Sequence, residues 1–372
     1  MLWRADEHET LTERDWDPAV ARAAIVAIVG DAEAAEREGG WPGHPLDDLD
    51  ETRVLSSVYL GGAGMVWALW KLGSSLDVRA AVAGTLERYR VAPDLEEGPH
   101  PSSLLIGETG MLAVAGRLGS PAFDIDRLRE LVRANRECPT WELLYGSPGT
   151  IMAARGCGLE AEWRDSAELL YARWDKSSDM WTGEFAGDVQ DYLGTAHGFA
   201  GNVHALRGFV GDDVLRARVE RLLNRTAIHE DGLVNWPPRD RPPSEEAVKI
   251  RVQWCHGAPG IVSTLGDLMP LDLAIGGGEL TWRAGPLSKG SGLCHGTAGN
   301  GYAFLRLHDM TGDARWLERA RRFAMHAIEQ VDSRRTAFGR GRYTLFTGDV
   351  GVALYLRACL DANPDFPILH TF

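Results

Sequence analysis

Apolar positions fall into two alternating kinds of stretch. The first kind is amphipathic with a period near 3.6 and covers residues 18–38, 75–90, 124–136, 212–228 and 313–331. A charged face opposite an apolar stripe predicts helices on an outer surface. The second kind is small and almost uniformly apolar, as in Met65-Val66-Trp67-Ala68-Leu69, and predicts helices buried all round. Strand-like alternation is scarce.

Each buried stretch follows a Gly-x-x-Gly unit, and there are seven such units. Their first glycines are Gly61, Gly107, Gly146, Gly198, Gly257, Gly296 and Gly348, spaced 39 to 59 residues apart. A unit recurring at this period marks a repeat architecture. Each repeat reads as outer helix, loop, Gly-x-x-Gly, inner helix. Seven helix pairs form either an open solenoid or a closed ring. The chain lacks a polar capping repeat and finishes on the apolar run Phe366-Pro367-Ile368-Leu369, which favours closure. The predicted fold is all-α, a two-layered α/α toroid of about fourteen helices forming a single domain over residues 1–372. The glycines are expected to allow unusual backbone angles and close chain approach where each inner helix begins. The outer helix over residues 271–282 is the doubtful one, because Gly276, Gly277 and Gly278 each cost about 1 kcal/mol in a helix interior. Residues 230–246, with Pro237, Pro238, Pro242 and Pro243, and residues 284–292 read as long loops at a mouth.

Composition narrows the function classes. A net charge of −14, with the carboxylates dispersed, argues against nucleic-acid and anionic-membrane surfaces. No apolar run approaches a membrane span, and the first residues carry no secretory h-region, so a cytoplasmic protein is expected. Five cysteines, an odd number, do not make a disulfide framework.

Candidate chemistry lies immediately before the glycine units. The residue preceding the first glycine is Leu60, Ile106, Tyr145, His197, His256, His295 and Thr347 in turn. Repeats five and six add Cys255 and Cys294 one position earlier. If these loops share one rim, Cys255, Cys294 and His295 can meet. Two thiolates and one imidazole suit zinc, and three ligands leave a fourth position open. Spacing alone leaves a second reading, in which the cysteines are packed as apolar groups and the histidines cap helices.

These segments resemble the lanthionine synthetase C-like family of bacterial lanthipeptide cyclases and eukaryotic LanC-like proteins. The resemblance runs through all seven repeats. It is carried by Glu142-Leu143-Leu144-Tyr145-Gly146, Ala196-His197-Gly198-Phe199-Ala200-Gly201, Trp254-Cys255-His256-Gly257-Ala258-Pro259-Gly260 and Lys289-Gly290-Ser291-Gly292-Leu293-Cys294-His295-Gly296. It implies one zinc on Cys255, Cys294 and His295. It also implies addition of a thiol to dehydroalanine or dehydrobutyrine residues of a peptide or protein. His197 matches the family's His-Gly histidine and is the candidate proton donor. Glu142 stands where a cyclase aspartate is expected and could orient His197 or the substrate. Arg251 is the candidate for stabilising an enolate, with a surface ion pair as its alternative. Cyclases commonly carry tyrosine at the place of His256, whereas eukaryotic-type members carry histidine. Lys289 precedes the second Cys-His pair as in glutathione-using members. With Arg4, and with Arg334, Arg335, Arg340 and Arg342 as further candidates, it could hold a glutathione carboxylate. The motifs thus lie nearer to glutathione addition than to ring formation within one peptide. A non-catalytic zinc- and glutathione-binding protein and an unrelated sugar-acting toroid are the rival classes.

Overall fold

The computed structural model describes residues 2–95, 102–185, 187–240 and 250–372. Outer and inner helices alternate along the chain. The first three pairs are α1 (Pro18–Ala35) and α2 (Gly62–Leu72), α3 (Val78–Val91) and α4 (Glu108–Leu118), α5 (Ile125–Asn135) and α6 (Ser147–Gly156). Then come α7 (Glu160–Ala172) and α8 (Phe199–Ala205), α9 (Asp212–Thr226) and α10 (Ala258–Leu265). The last are α11 (Leu271–Ala284) and α12 (Thr297–Thr311), α13 (Ala314–Phe338) and α14 (Asp349–Asp361). Each inner helix packs on the next, and α14 packs on α2, so the ring closes. Among the described residues the expected fourteen-helix toroid is what forms. Among the described residues no helix is long and apolar enough to cross a membrane.

The two layers are capped differently. Outer helices α1, α3, α5 and α13 begin on Asp17, Asp77, Asp124 and Asp313, whose carboxylates accept first-turn amides. Six of the seven inner helices have a buried first turn whose N-cap is a glycine with no side-chain acceptor among the described residues; in α10, the exception, the Asn235 side chain takes the Ala258 amide. In several inner helices the loop backbone supplies the acceptors instead. Gly62 N–H donates to Leu55 O at 2.9 Å, Phe199 N–H to Tyr192 O at 2.9 Å and Thr297 N–H to Gly290 O at 2.9 Å. Each of these acceptors lies seven residues upstream. The loop therefore doubles back tightly onto the helix start.

That return explains the second glycine of each unit. A Cβ at Gly299 would lie 1.7 Å from Leu293 O, at Gly260 1.8 Å from Trp254 O and at Gly110 1.9 Å from Leu104 O. The same carbonyl, six residues upstream, is the nearest atom at Gly64, Gly149, Gly201 and Gly351. Close approach is the common cause. Unusual backbone angles are not, since Gly257, at φ 107°, is the one member of the seven pairs in the left-handed region.

Two expectations need correction. The three glycines do not break α11, because they let it approach its neighbours. A Cβ at Gly278 would lie 2.2 Å from Leu307 Cδ1, at Gly276 2.5 Å from Val234 Cγ2 and at Gly277 2.9 Å from Val262 Cγ2. Packing outweighs helix propensity here. Part of the stretch 230–246 is a hairpin: β3 (Ile228–Glu230) pairs antiparallel with β4 (Leu233–Asn235), whose three residues are buried. An earlier hairpin pairs β1 (Gly183–Phe185) with β2 (Asp188–Gln190). Pro242 and Pro243 lie outside the described residues.

The apolar C-terminal run crosses the inner ring. Phe366 stacks on Trp254 with centroids 4.3 Å apart and also meets Tyr302 of α12. Leu369 O accepts from His204 of α8 at 2.7 Å, and Phe372 reaches the end of α6 at Gly156.

Candidate functional site

The loops before the inner helices are stitched together at one rim. Cys255 N–H donates to Cys294 O at 3.2 Å, and Cys294 N–H to Phe346 O at 2.9 Å. Phe346 N–H donates to Tyr59 O at 3.4 Å, and Tyr59 N–H to Leu105 O at 2.7 Å. Every one of these residues stands two positions before the first glycine of its repeat. This ladder of equivalent positions joins repeat seven to repeat one and sets repeats five and six side by side.

The ladder brings together Cys255, Cys294 and His295, whose ligand atoms all lie within 4.8 Å of one another. Both cysteines are buried and His295 is half-buried. A hydrogen bond with the Cys294 thiol, opposed by burial and aided by His295 and His256, holds Cys255 well below the usual thiol range. The same bond, together with burial, pushes Cys294 well above it. Gln253 Nε2 also donates to Cys255 Sγ at 3.1 Å. Atoms around a tetrahedral ion stand roughly 3.5 Å apart, and the donor set is two sulfurs and one imidazole nitrogen, so the residues present fit zinc.

His197 stands on the adjoining rim. Its Nδ1 and Glu142 Oε2 are 3.1 Å apart. Glu142 is buried and fixed from its own loop, accepting from Leu144 N–H at 3.0 Å, Gly146 N–H at 3.3 Å and Tyr145 N–H. Burial disfavours the imidazolium, but the hydrogen bond and charge of Glu142, with the charge of Cys255, outweigh it and raise the His197 pKa. His256 stacks on His197 with centroids 5.2 Å apart and lies equally close to Tyr192. Burial lowers the His256 pKa to about 4, so at neutral pH it is an uncharged neighbour of His197.

Two cavities are lined by sequence neighbours of Cys255, one by His256 and the other by Gln253. One, of about 400 Å³, is lined by Glu142, His197, His256, Tyr192, Tyr145 and Phe185. The other, of about 200 Å³, is lined by Arg251, Gln253, Lys289, Asp6 and Glu7 among others. Arg251 lies close enough for its charge to act on both His197 and His256. Lys289 is exposed and acts likewise on Cys294. A larger groove, of about 780 Å³, runs between the N-terminal segment and α11 and contains none of these site residues.

The remaining cations are placed differently. Arg4 is half exposed and pairs with Asp6 at 2.6 Å, outside the Lys289 cavity lining. Arg335 pairs with Asp31 and Asp349, Arg340 with Glu51 and Arg342 with Asp47. Arg334 donates to the carbonyls of Ser288 and Lys289 at 3.1 and 3.2 Å, bracing the loop that carries Lys289.

Sequence reasoning missed Tyr59, Gln253 and Tyr192. Tyr59 was the most accessible of these, because it occupies in repeat one the register that holds a cysteine in repeats five and six.

Comparison with known proteins follows this geometry. The family model described as lanthionine synthetase C-like protein matches residues 54–369. The glutathione S-transferase LANCL1 of Danio rerio is 33% identical over 196 residues, covering 48% of this chain and 45% of that protein. The LanC-like protein GCL1 of Arabidopsis thaliana is 34% identical over 194 residues, covering 47% and 42%. The matched segment thus spans less than half the length of either relative. The solved structure of nisin cyclase superposes with a TM-score of 0.62 at 14% identity, over 94% of this chain and 99% of that one, which is a likeness of fold.

Proposed function

This chain belongs to the lanthionine synthetase C-like family, and on that premise we propose that it adds a thiol, glutathione foremost, to dehydroalanine or dehydrobutyrine residues of a peptide or protein. The observation that carries the reading is the buried Cys255–Cys294–His295 cluster beside the His197–Glu142 pair. Zinc held by the three donors would keep a thiol deprotonated at neutral pH, where a free thiol with a pKa near 8.5 is mostly protonated.

The chain's own groups supply the rest. As the sulfur–carbon bond forms at the β-carbon, the π electrons of the double bond move toward the acyl oxygen. Arg251, half-buried in the lining of the smaller cavity, would offset that charge. The α-carbon must then take a proton. Glu142 accepts from Nδ1 of His197 and orients the ring, leaving Nε2 as the donor; the proton released by the thiol restores the balance. Lys289, in the smaller cavity, is suited to a carboxylate of glutathione. The aromatic-walled larger cavity, holding His197, suits the dehydrated peptide. Glutathione ranks first because the LANCL1 relative carries the name glutathione S-transferase and because Lys289 stands beside the cluster. Since the reaction joins two soluble partners at a solvent-open rim, a cytoplasmic setting is part of the same reading.

The test uses the full chain loaded with zinc, a dehydroalanine-containing peptide and glutathione, read by mass spectrometry. A glutathione adduct that disappears in Cys294→Ala is expected. A zinc-loaded, folded protein that forms no adduct, yet closes a ring in a peptide carrying its own cysteine, overturns the glutathione assignment in favour of a cyclase. Failure with both substrates leaves a zinc- and glutathione-binding protein.

A further inference from the structure

The larger cavity, which holds His197, has a hydrogen-bond donor that the reaction above leaves unused. Arg251 lines the smaller cavity; among the described residues Arg239 is the one lysine or arginine in the larger cavity's lining. Arg239 is fixed on Tyr192. Its guanidinium lies over the Tyr192 ring, 4.5 Å from the centroid, and its Nη2 donates to the Tyr192 hydroxyl oxygen at 2.8 Å. Its Nη1 donates to Val189 O at 3.1 Å and lies 3.8 Å from a carboxylate oxygen of buried Asp191. The two backbones are paired as well, in an antiparallel bridge followed by Leu193 N–H to Pro238 O at 2.9 Å. Tyr192 is also anchored by the helix it precedes, because its carbonyl takes the Phe199 amide of α8 at 2.9 Å.

This arrangement decides what the phenol can do. A guanidinium only donates, so the Tyr192 oxygen is the acceptor in its bond with Arg239. The hydroxyl proton is left over, and none of the described residues accepts it. A half-buried phenol on a cavity wall, held from two sides with its own proton uncommitted, is a donor available to a bound ligand. The Tyr192 ring stands 6.4 Å from that of His197 and 5.2 Å from that of His256, centroid to centroid. The acyl oxygen and the α-carbon of a dehydroamino acid are only two bonds apart. One such residue can therefore present its α-carbon to His197 and its acyl oxygen to Tyr192.

We propose that Tyr192 is a further catalytic residue, its hydroxyl donating to the acyl oxygen of the dehydroamino acid, and that Arg239 is the positioning residue that holds it there. The inference rests on the thiol-addition reading above. As the sulfur–carbon bond forms at the β-carbon, the alkene π pair shifts to join the α-carbon to the acyl carbon, and the carbonyl π pair moves onto oxygen. The hydrogen bond from Tyr192 strengthens with that charge, and the tyrosine keeps its proton. When His197 delivers a proton to the α-carbon, the carbonyl re-forms and the hydrogen bond relaxes. A contact that is stronger in the transition state than in the bound substrate raises kcat.

The test uses the zinc-loaded full chain, a dehydroalanine peptide and saturating glutathione, or a cysteine-bearing dehydroalanine peptide if ring closure is the activity found. Values of kcat and of KM for the peptide are taken for wild type, Tyr192→Phe, Arg239→Gln and the double variant, with zinc content and thermal unfolding followed in each. Tyr192→Phe keeps the ring under the guanidinium and removes only the hydroxyl. Its kcat is expected to fall about 100-fold, the scale for loss of one oxyanion donor, with KM and zinc content unchanged. Arg239→Gln leaves the hydroxyl present but unanchored, and its kcat should fall by a smaller factor. Added to Tyr192→Phe it should leave kcat nearly unchanged, because Arg239 acts through the hydroxyl. A folded Tyr192→Phe with wild-type kcat, or with its loss confined to KM, overturns the proposal. If that variant does not fold, Arg239→Gln with wild-type kcat overturns it instead. An Arg239→Gln effect of equal size in both backgrounds overturns the positioning role. Wild type that neither forms the adduct nor closes a ring overturns the thiol-addition reading itself, a result distinct from these.

Discussion

The backbone amide of Cys255 donates to the carbonyl of Cys294 at 3.2 Å, although the two residues lie 39 positions apart. That bond is one rung of the ladder of equivalent loop positions, and it puts both sulfurs on one rim. The loops hold this register because each returns onto the start of its inner helix, so the glycines at those starts set the geometry of the site.

Gly299→Ala is the direct test of that dependence. Its Cβ would lie 1.7 Å from Leu293 O, a backbone atom that cannot swing away. A loss of about 3 kcal/mol in urea unfolding is expected, with weaker zinc retention, since Leu293 adjoins Cys294. Gly30→Ala is the control. Gly30 lies exposed within α1 with nothing within 4 Å of a Cβ, so the substitution should stabilise by up to about 1 kcal/mol.

Glu142→Gln tests the orientation of His197. A proton donor must hold its proton, so kcat/KM should be retained below the His197 pKa and fall as pH rises through it. Glu142 contributes to raising that pKa, and its charge is lost in the variant. The falling limb of the pH profile should therefore move to lower pH, with the rate down roughly 10- to 100-fold from lost positioning. An unmoved limb would assign Glu142 to holding its own loop.

Lys289→Ala separates thiol binding from chemistry. KM for glutathione should rise about tenfold, the equivalent of 1.4 kcal/mol, with kcat little changed. With 2-mercaptoethanol, which has no carboxylate, the variant should match wild type. Steady-state kinetics with the two thiols against one dehydroalanine peptide decide the matter.

The His204–His370 pair predicts sensitivity to acid. Burial lowers the His204 pKa to about 3, and burial together with the charge of His204 lowers His370 well below its ordinary value. Unfolded histidine takes up a proton near pH 6.5, so the unfolded state gains protons first and stability falls as pH drops below that value. For His204 the loss between pH 7.5 and 5 is at most about 2 kcal/mol, and partial exposure of its ring reduces it. Urea midpoints at the two pH values should differ less in His204→Gln than in wild type.

Much of this architecture was legible in the chain, because it repeats. Seven glycine units and the alternation of amphipathic with uniformly apolar stretches are local signals, and they yield the layers, the order and the helix count. That Cys255, Cys294 and His295 can meet was legible for the same reason, since their register is counted from the glycines. Less could be read at α11, where Gly276, Gly277 and Gly278 argue against a helix until Val234, Val262 and Leu307 are seen packed against them.

The chain by itself determined which positions repeat and which of them carry sulfur, imidazole and carboxylate, because periodicity and spacing are properties of sequence. Tertiary structure alone decided which repeats became neighbours at the rim, that Tyr59 shares the ladder with the cysteines, and that Lys289 lines the cavity beside Arg251. The reason is physical. Contacts between loops many residues apart depend on ring closure and on backbone hydrogen bonds between repeats, and neither leaves a local pattern of polar and apolar residues.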